Sequence, residues 1–99
     1  MPAYVFVNVD VHDPTHYPEY IRIAPDSIRL YGGRYLARGG QTAQLEGEWQ
    51  PKRVVILEFE SLERAKQWWA SEEYRQPKAM RQAAATTQMI AVEGLATPF

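Results

Sequence analysis

Ala3, Val5, Val7, Val9 and Val11 recur at every second position, separated by Tyr4, Phe6, Asn8 and Asp10. Successive side chains of a strand point to opposite faces, so this segment is a strand with one aliphatic face and one face that starts aromatic and ends polar. The aliphatic face demands a core. The aromatic start of the other face is too apolar to be left in water and calls for a second cover. Whatever follows must complete a sheet that is packed on both sides.

The rest of the chain supplies it. Asp13-Pro14 reads as an N-cap followed by proline at the first helical position, and Tyr17, Tyr20, Ile21, Ala24, Ile28 and Tyr31 share a helical face. Pro25 inside that pattern predicts a kink near Ile21 to Ala24, because proline removes one backbone donor and crowds the preceding turn. Gly32 ends the helix, where a left-handed residue is needed. Arg34 to Arg38 then alternates as a second strand, which places Arg34, Leu36 and Arg38 together on one side. Gly39-Gly40 opens a polar arm closed by Pro51. Arg53 to Phe59, RVVILEF, is apolar on both faces, as expected of a central strand.

Ser61 caps the next helix, with Leu62, Ala65 and Trp69 as its inward stripe and Trp68 beside it. Ser71 opens a further helical segment carrying Tyr74, Met80 and Ala84, which Pro77 divides into two pieces. Met89 to Glu93 is the last strand, with Ile90 and Val92 inward. Strand, helix, two strands, broken helix, strand is the split βαβ plan: an α+β, ferredoxin-like sandwich with a four-stranded antiparallel sheet, formed by a single domain over residues 1–99. Its helices cover one face of the sheet only. The face carrying Tyr4 and Phe6 therefore predicts a homodimer, two sheets packed face to face.

Eleven basic and twelve acidic side chains leave a formal charge of −1, and no segment gathers lysine or arginine into the strip that a polyanion requires. Nucleic acid is disfavoured as a partner. RNA-recognition folds share this strand and helix order, but they place stacking aromatics on the third strand, where RVVILEFE offers Arg53, aliphatics and an acid. Cysteine is absent, which removes disulfides and thiolate chemistry. No apolar leader or long apolar span is present, so the expectation is a cytoplasmic protein without a membrane partner.

Few side chains remain for chemistry. His12 and His16 are the only histidines, and Pro14 stands between them, so a two-histidine metal site on a helix is disfavoured; no metal or other cofactor is expected. An imidazole titrates near neutrality, which makes His12 or His16 the candidate proton acceptor. Arg34 and Arg38, two residues apart on one strand face, are candidate anchors for a carboxylate or a polarised carbonyl. The competing use of these arginines is pairing with Glu46, Glu48 or Glu58 on neighbouring strands. Tyr20, Trp49 and Trp68 are candidate pocket walls. Neither GxxxxGK[ST] nor GxGxxG occurs, which disfavours a nucleotide, and GxSxG is also missing.

The succession of DP, two tyrosines in the first helix, YGGRYLARGG, EGEWQPKRVVILEF, WWAS, EEY and a final AVEG resembles the family known as domain of unknown function 1330, from Val5 to Gly94. Pro77, and Trp69 where tyrosine is commoner, depart from that pattern. The resemblance implies the fold of the dimeric α+β barrel superfamily, whose members include cofactor-free monooxygenases, lactone isomerases, haem-dependent peroxidases and plain ligand-binding modules. The expectation is a homodimer binding a small anionic or carbonyl-bearing organic molecule. It acts either as a cofactor-independent isomerase or monooxygenase-type enzyme, or as a non-catalytic binding or structural module.

Overall fold

The structure, a computed structural model, describes all 99 residues. Strand β1 (Ala3–Val11) leads into helix α1 (Tyr17–Leu30), strands β2 (Arg34–Arg38) and β3 (Arg53–Phe59), helices α2 (Leu62–Trp69) and α3 (Glu72–Ala84), and strand β4 (Ala85–Glu93). The four strands form one antiparallel sheet in the order β2-β3-β1-β4. This is the expected ferredoxin-like α+β fold.

The core lies between the helices and one face of the sheet. Val5, Val7 and Val9 of β1, with Leu57 and Phe59 of β3, meet Ala24 and Ile28 of α1, Ala65 and Trp68 of α2, and Tyr74 of α3. The rings of Trp68 and Tyr74 pack with centroids 4.2 Å apart, and Phe59 stands 5.3 Å from Trp68 on the other side. Such aromatic contacts add to the area they bury.

Several local expectations are corrected. Trp68, not Trp69, is the inward residue of α2: it is fully buried, while Trp69 is exposed. Ser61 caps the helix by accepting from Arg64 N, and this phase places Ala65 and Trp68 over the sheet. Strand β4 begins four residues earlier than Met89, and its inward side chains are those facing Val5 and Val7, namely Ala91 and Met89. Ile90 and Val92, 66% and 55% exposed, instead lie beside Phe6 and Tyr4 on the helix-free face. Helix α3 runs unbroken through Pro77 and passes into β4 without a connecting loop.

Helix α1 is also continuous through Pro25 and starts at Tyr17, with Pro18 rather than Pro14 in its first turn. Asp13 caps the preceding turn by accepting from Thr15 N and His16 N. Pro25 has no N–H to give to the carbonyl of Ile21, four residues back. The Arg38 guanidinium donates to that carbonyl instead. A charged donor from the neighbouring strand thus replaces the missing helical bond, and the helix continues past Pro25. At its other end Gly32 holds φ at +76°, and Gly33 N donates to Ile28 O at 2.9 Å, so the first Gly-Gly pair is the expected helix stop.

Candidate functional site

Strand β2 contains a β-bulge that decides which arginine can act where. Tyr35 pairs with Leu57 but Ala37 pairs with Ile56, so Leu36 is the extra residue and the alternation shifts by one. Arg34 faces Glu58 on the helix-free side and holds it in an ion pair, with its Nε 2.6 Å and Nη2 2.5 Å from Oε1. Arg38 pairs with Val55 and projects to the helix side. The two arginines therefore do not form the clamp expected from simple alternation. Arg34 has the glutamate partner that the competing reading offered it.

Between the helices and the sheet is a cavity of about 30 Å³, enough for a water molecule or two. Its polar lining comes from Arg38, Arg53 and Arg81, with Tyr17, Tyr20 and Tyr35; the rest is aliphatic or aromatic. No aspartate, glutamate or histidine lines it. None of the three arginines is paired with a carboxylate. Arg81 is the most consequential, being only 4% exposed.

Each arginine is placed by an identifiable local feature. Arg81 follows Tyr74 by seven residues, so two helical turns bring both to the buried face of α3. Its Nε donates to the Tyr74 hydroxyl at 3.3 Å, and that hydroxyl lies 2.7 Å from the Tyr20 hydroxyl of α1. Arg38 rests over the Tyr35 ring, 4.3 Å from its centroid. Arg53 opens β3 and lies 5.8 Å from the centroid of Tyr17, with its Nε buried and without a hydrogen-bond partner. Room for its guanidinium comes from Gly39, where a Cβ would sit 2.1 Å from Arg53 Nη1. Gly39 also holds φ at +70°, so the second Gly-Gly pair shapes the site as well as turning the chain.

Burial pushes the Tyr20 phenol far above its ordinary pKa, and the adjoining Tyr74 hydroxyl adds to the effect. Burial likewise raises Tyr35, with Arg38 opposing. Both stay neutral hydrogen-bonding groups at physiological pH.

Of the residues singled out in the sequence, Tyr20, Arg38 and Trp68 line this cavity. The others lie elsewhere. Trp49 is exposed and packs against Phe6, with ring centroids 5.7 Å apart, on the far side of the sheet. His16, with a side chain 78% exposed, precedes α1 and contacts Asp13 Oδ2 at 2.7 Å, an interaction that holds the Asp13 carboxyl below its usual pKa. His12 is exposed at the end of β1. Neither histidine lines the cavity, and no three His, Cys, Asp or Glu side chains gather as a metal site would require. Arg53 and Arg81 were not anticipated. The legible signal for Arg81 was a charge in phase with Tyr74 and Ala84 on the apolar stripe of α3.

The family model described as Domain of unknown function (DUF1330) matches residues 2–95. The chain belongs to that family. Solved structures similar to this DUF1330 chain include RPA0582, a protein of unknown function from Rhodopseudomonas palustris. It is 21% identical, with a TM-score of 0.74 over 97% of this chain and 84% of that one. A hypothetical Arabidopsis thaliana protein is 14% identical, with a TM-score of 0.66 over 99% and 92% of the two chains. A mutant of SnoaB, a cofactor-independent oxygenase from Streptomyces nogalater, is 12% identical, with a TM-score of 0.62 over 97% and 95%. At these identities the likeness is one of fold, a four-stranded antiparallel α+β sheet of the ferredoxin-like type. No curated protein matches the DUF1330 chain. No helix in it is long and apolar enough to cross a membrane.

Proposed function

We propose that this DUF1330 protein binds a small organic anion, or a molecule whose carbonyl oxygen carries partial negative charge, with the charged oxygen reaching into the cavity between its helices and its sheet. The observation that carries this reading is Arg81: a guanidinium 4% exposed, with no carboxylate partner, on a cavity that also receives Arg38 and Arg53. Burying an unpaired charge is costly, and such charges are normally paired. A cavity that concentrates three cations without a compensating acid is electrostatically incomplete until an anion enters. Tyr20, held by its hydrogen bond to Tyr74, adds a hydroxyl that positions an oxygen of that anion.

The protein is proposed to work as a homodimer. Tyr4, Phe6, Ile56, Ile90 and Val92 share the helix-free face of the sheet, and a second copy packed against that face would cover them. Dimerisation leaves the cavity on the opposite, helix-covered side of each sheet.

A second reading, catalysis without a bound cofactor, is favoured by the hydroxyl chain from Arg81 through Tyr74 to Tyr20. Either hydroxyl can donate in the Tyr20–Tyr74 bond; in the arrangement where Tyr74 accepts from the guanidinium and donates to Tyr20, the Tyr20 proton is left to be donated into the cavity. A donor so placed stabilises charge developing on a substrate carbonyl during proton transfer or oxygenation. The deciding measurement is a thermal-shift series with benzoate, salicylate and their neutral amides. Carboxylates should raise Tm in the wild type and not in Arg81→Met. Equal shifts from acid and amide, or no shift from any, would remove the anion-binding reading.

A further inference from the structure

Resting on the anion-binding reading, we infer that the ligand is an amphipathic monocarboxylate, whose head sits on Arg81 and whose apolar body lies in a groove along β4. This groove, of about 600 Å³, runs over the helix side of β1 and β4 beside α2 and α3. Trp68, Arg81 and Met89 line both the groove and the inner cavity, so one guanidinium serves as the wall between them. The volume falls within the range typical of small-molecule sites.

The lining prescribes the chemistry. Val5, Ala65, Trp69 and Ala91 give the groove an apolar floor and side. Its only charged residues are Lys66 and Arg81; no acid lines it. Thr87 also lines it, with its hydroxyl oxygen turned away from solvent and without a hydrogen-bond partner. Arg81 has spent its Nε on Tyr74, which leaves the two terminal nitrogens as a flat, two-pronged edge. A carboxylate matches such an edge with two parallel bonds. A bare inorganic anion would leave the apolar walls wet. A neutral hydrocarbon would leave Arg81 unpaired.

The test is isothermal titration calorimetry of the intact protein with butanoate, hexanoate, octanoate and 1-octanol. Burying each added methylene tightens binding by about fourfold when it is fully removed from water, so octanoate is expected to bind at least about 30-fold more tightly than butanoate. Octanol is expected to bind at least about tenfold more weakly than octanoate, and Arg81→Met should erase that preference. Ala91 lines the groove but not the cavity, so Ala91→Phe should flatten the chain-length dependence while leaving benzoate binding in place. Should that variant not fold, the chain-length series on the wild type still decides. Carboxylates that bind with one Kd whatever their length would overturn the groove inference and leave the anion reading standing. Octanol equal to octanoate would overturn Arg81 as the head-group site, and no binding by any carboxylate would overturn both readings.

Discussion

The Tyr20 hydroxyl lies 2.7 Å from that of Tyr74, joining helices α1 and α3 directly above the cavity. Burial raises the Tyr20 pKa, so the folded state holds the phenolic proton more tightly than the unfolded chain does. The stability associated with this group is therefore fully present below about pH 10, the ordinary tyrosine value, and is lost as pH rises above it. Spectrophotometric titration of phenolate absorbance should show Tyr20 and Tyr35 ionising only as the fold is lost. Tyr20→Phe should weaken the fall in stability above pH 10, measured by urea unfolding at pH 8 and pH 10.5.

Arg81→Met should make the empty protein more stable by about 1–3 kcal/mol, because it removes a buried, unpaired charge and keeps the apolar stem. The same change should abolish the response to benzoate. Chemical denaturation with and without benzoate checks both. A variant that is less stable and still binds would show that the guanidinium holds Tyr74 in place and does no more.

Arg38 and Pro25 should be coupled. In the wild type Arg38 donates to the Ile21 carbonyl that Pro25 cannot satisfy. Pro25→Ala restores a helical N–H, so Arg38→Met should cost less in that background, by about 1 kcal/mol in a double-mutant cycle. Arg34→Met, which breaks a partly exposed pair with Glu58, should change stability by no more than about 1 kcal/mol and leave ligand binding untouched.

If the helix-free face is a dimer interface, the wild type should sediment at twice 11.4 kDa and Ile90→Glu should yield monomer or insoluble chain. Ile90 is 66% exposed in the single subunit, so the substitution by itself does little harm to the subunit core. A wild-type monomer at tens of micromolar would discard the assembly.

The architecture was legible because its signals are local and redundant. The alternation of Val5, Val7 and Val9, the two-sided apolar run at β3 and the glycine at position 32 each specify an element without knowledge of its neighbours. The prolines misled for the opposite reason. Pro25 and Pro77 weaken a helix taken alone, but each sits in a helix packed on the sheet, and the Ile21 carbonyl finds its substitute donor on another strand. The direction of Ile90 and Val92 was misread because a strand apolar on both faces does not say which face the helices cover. Arg53 is named in the sequence only as the start of a strand, and not as a cavity residue, because its neighbour across the fold, Gly39, lies fourteen residues away and only the structure shows why that glycine must lack a side chain.

The bulge at Leu36 sets the charge of two separate surfaces. The same five residues paired without it would alternate strictly and carry Arg38 over to the Glu58 side, giving the proposed interface a second cation and the cavity one fewer. Deleting Leu36 would remove the bulge and still leave Arg38 opposite Val55, beneath the helices. Among related chains, the pairing register of this strand, and not the bare residue count, therefore separates those equipped to attract an anion beneath their helices from those that are not.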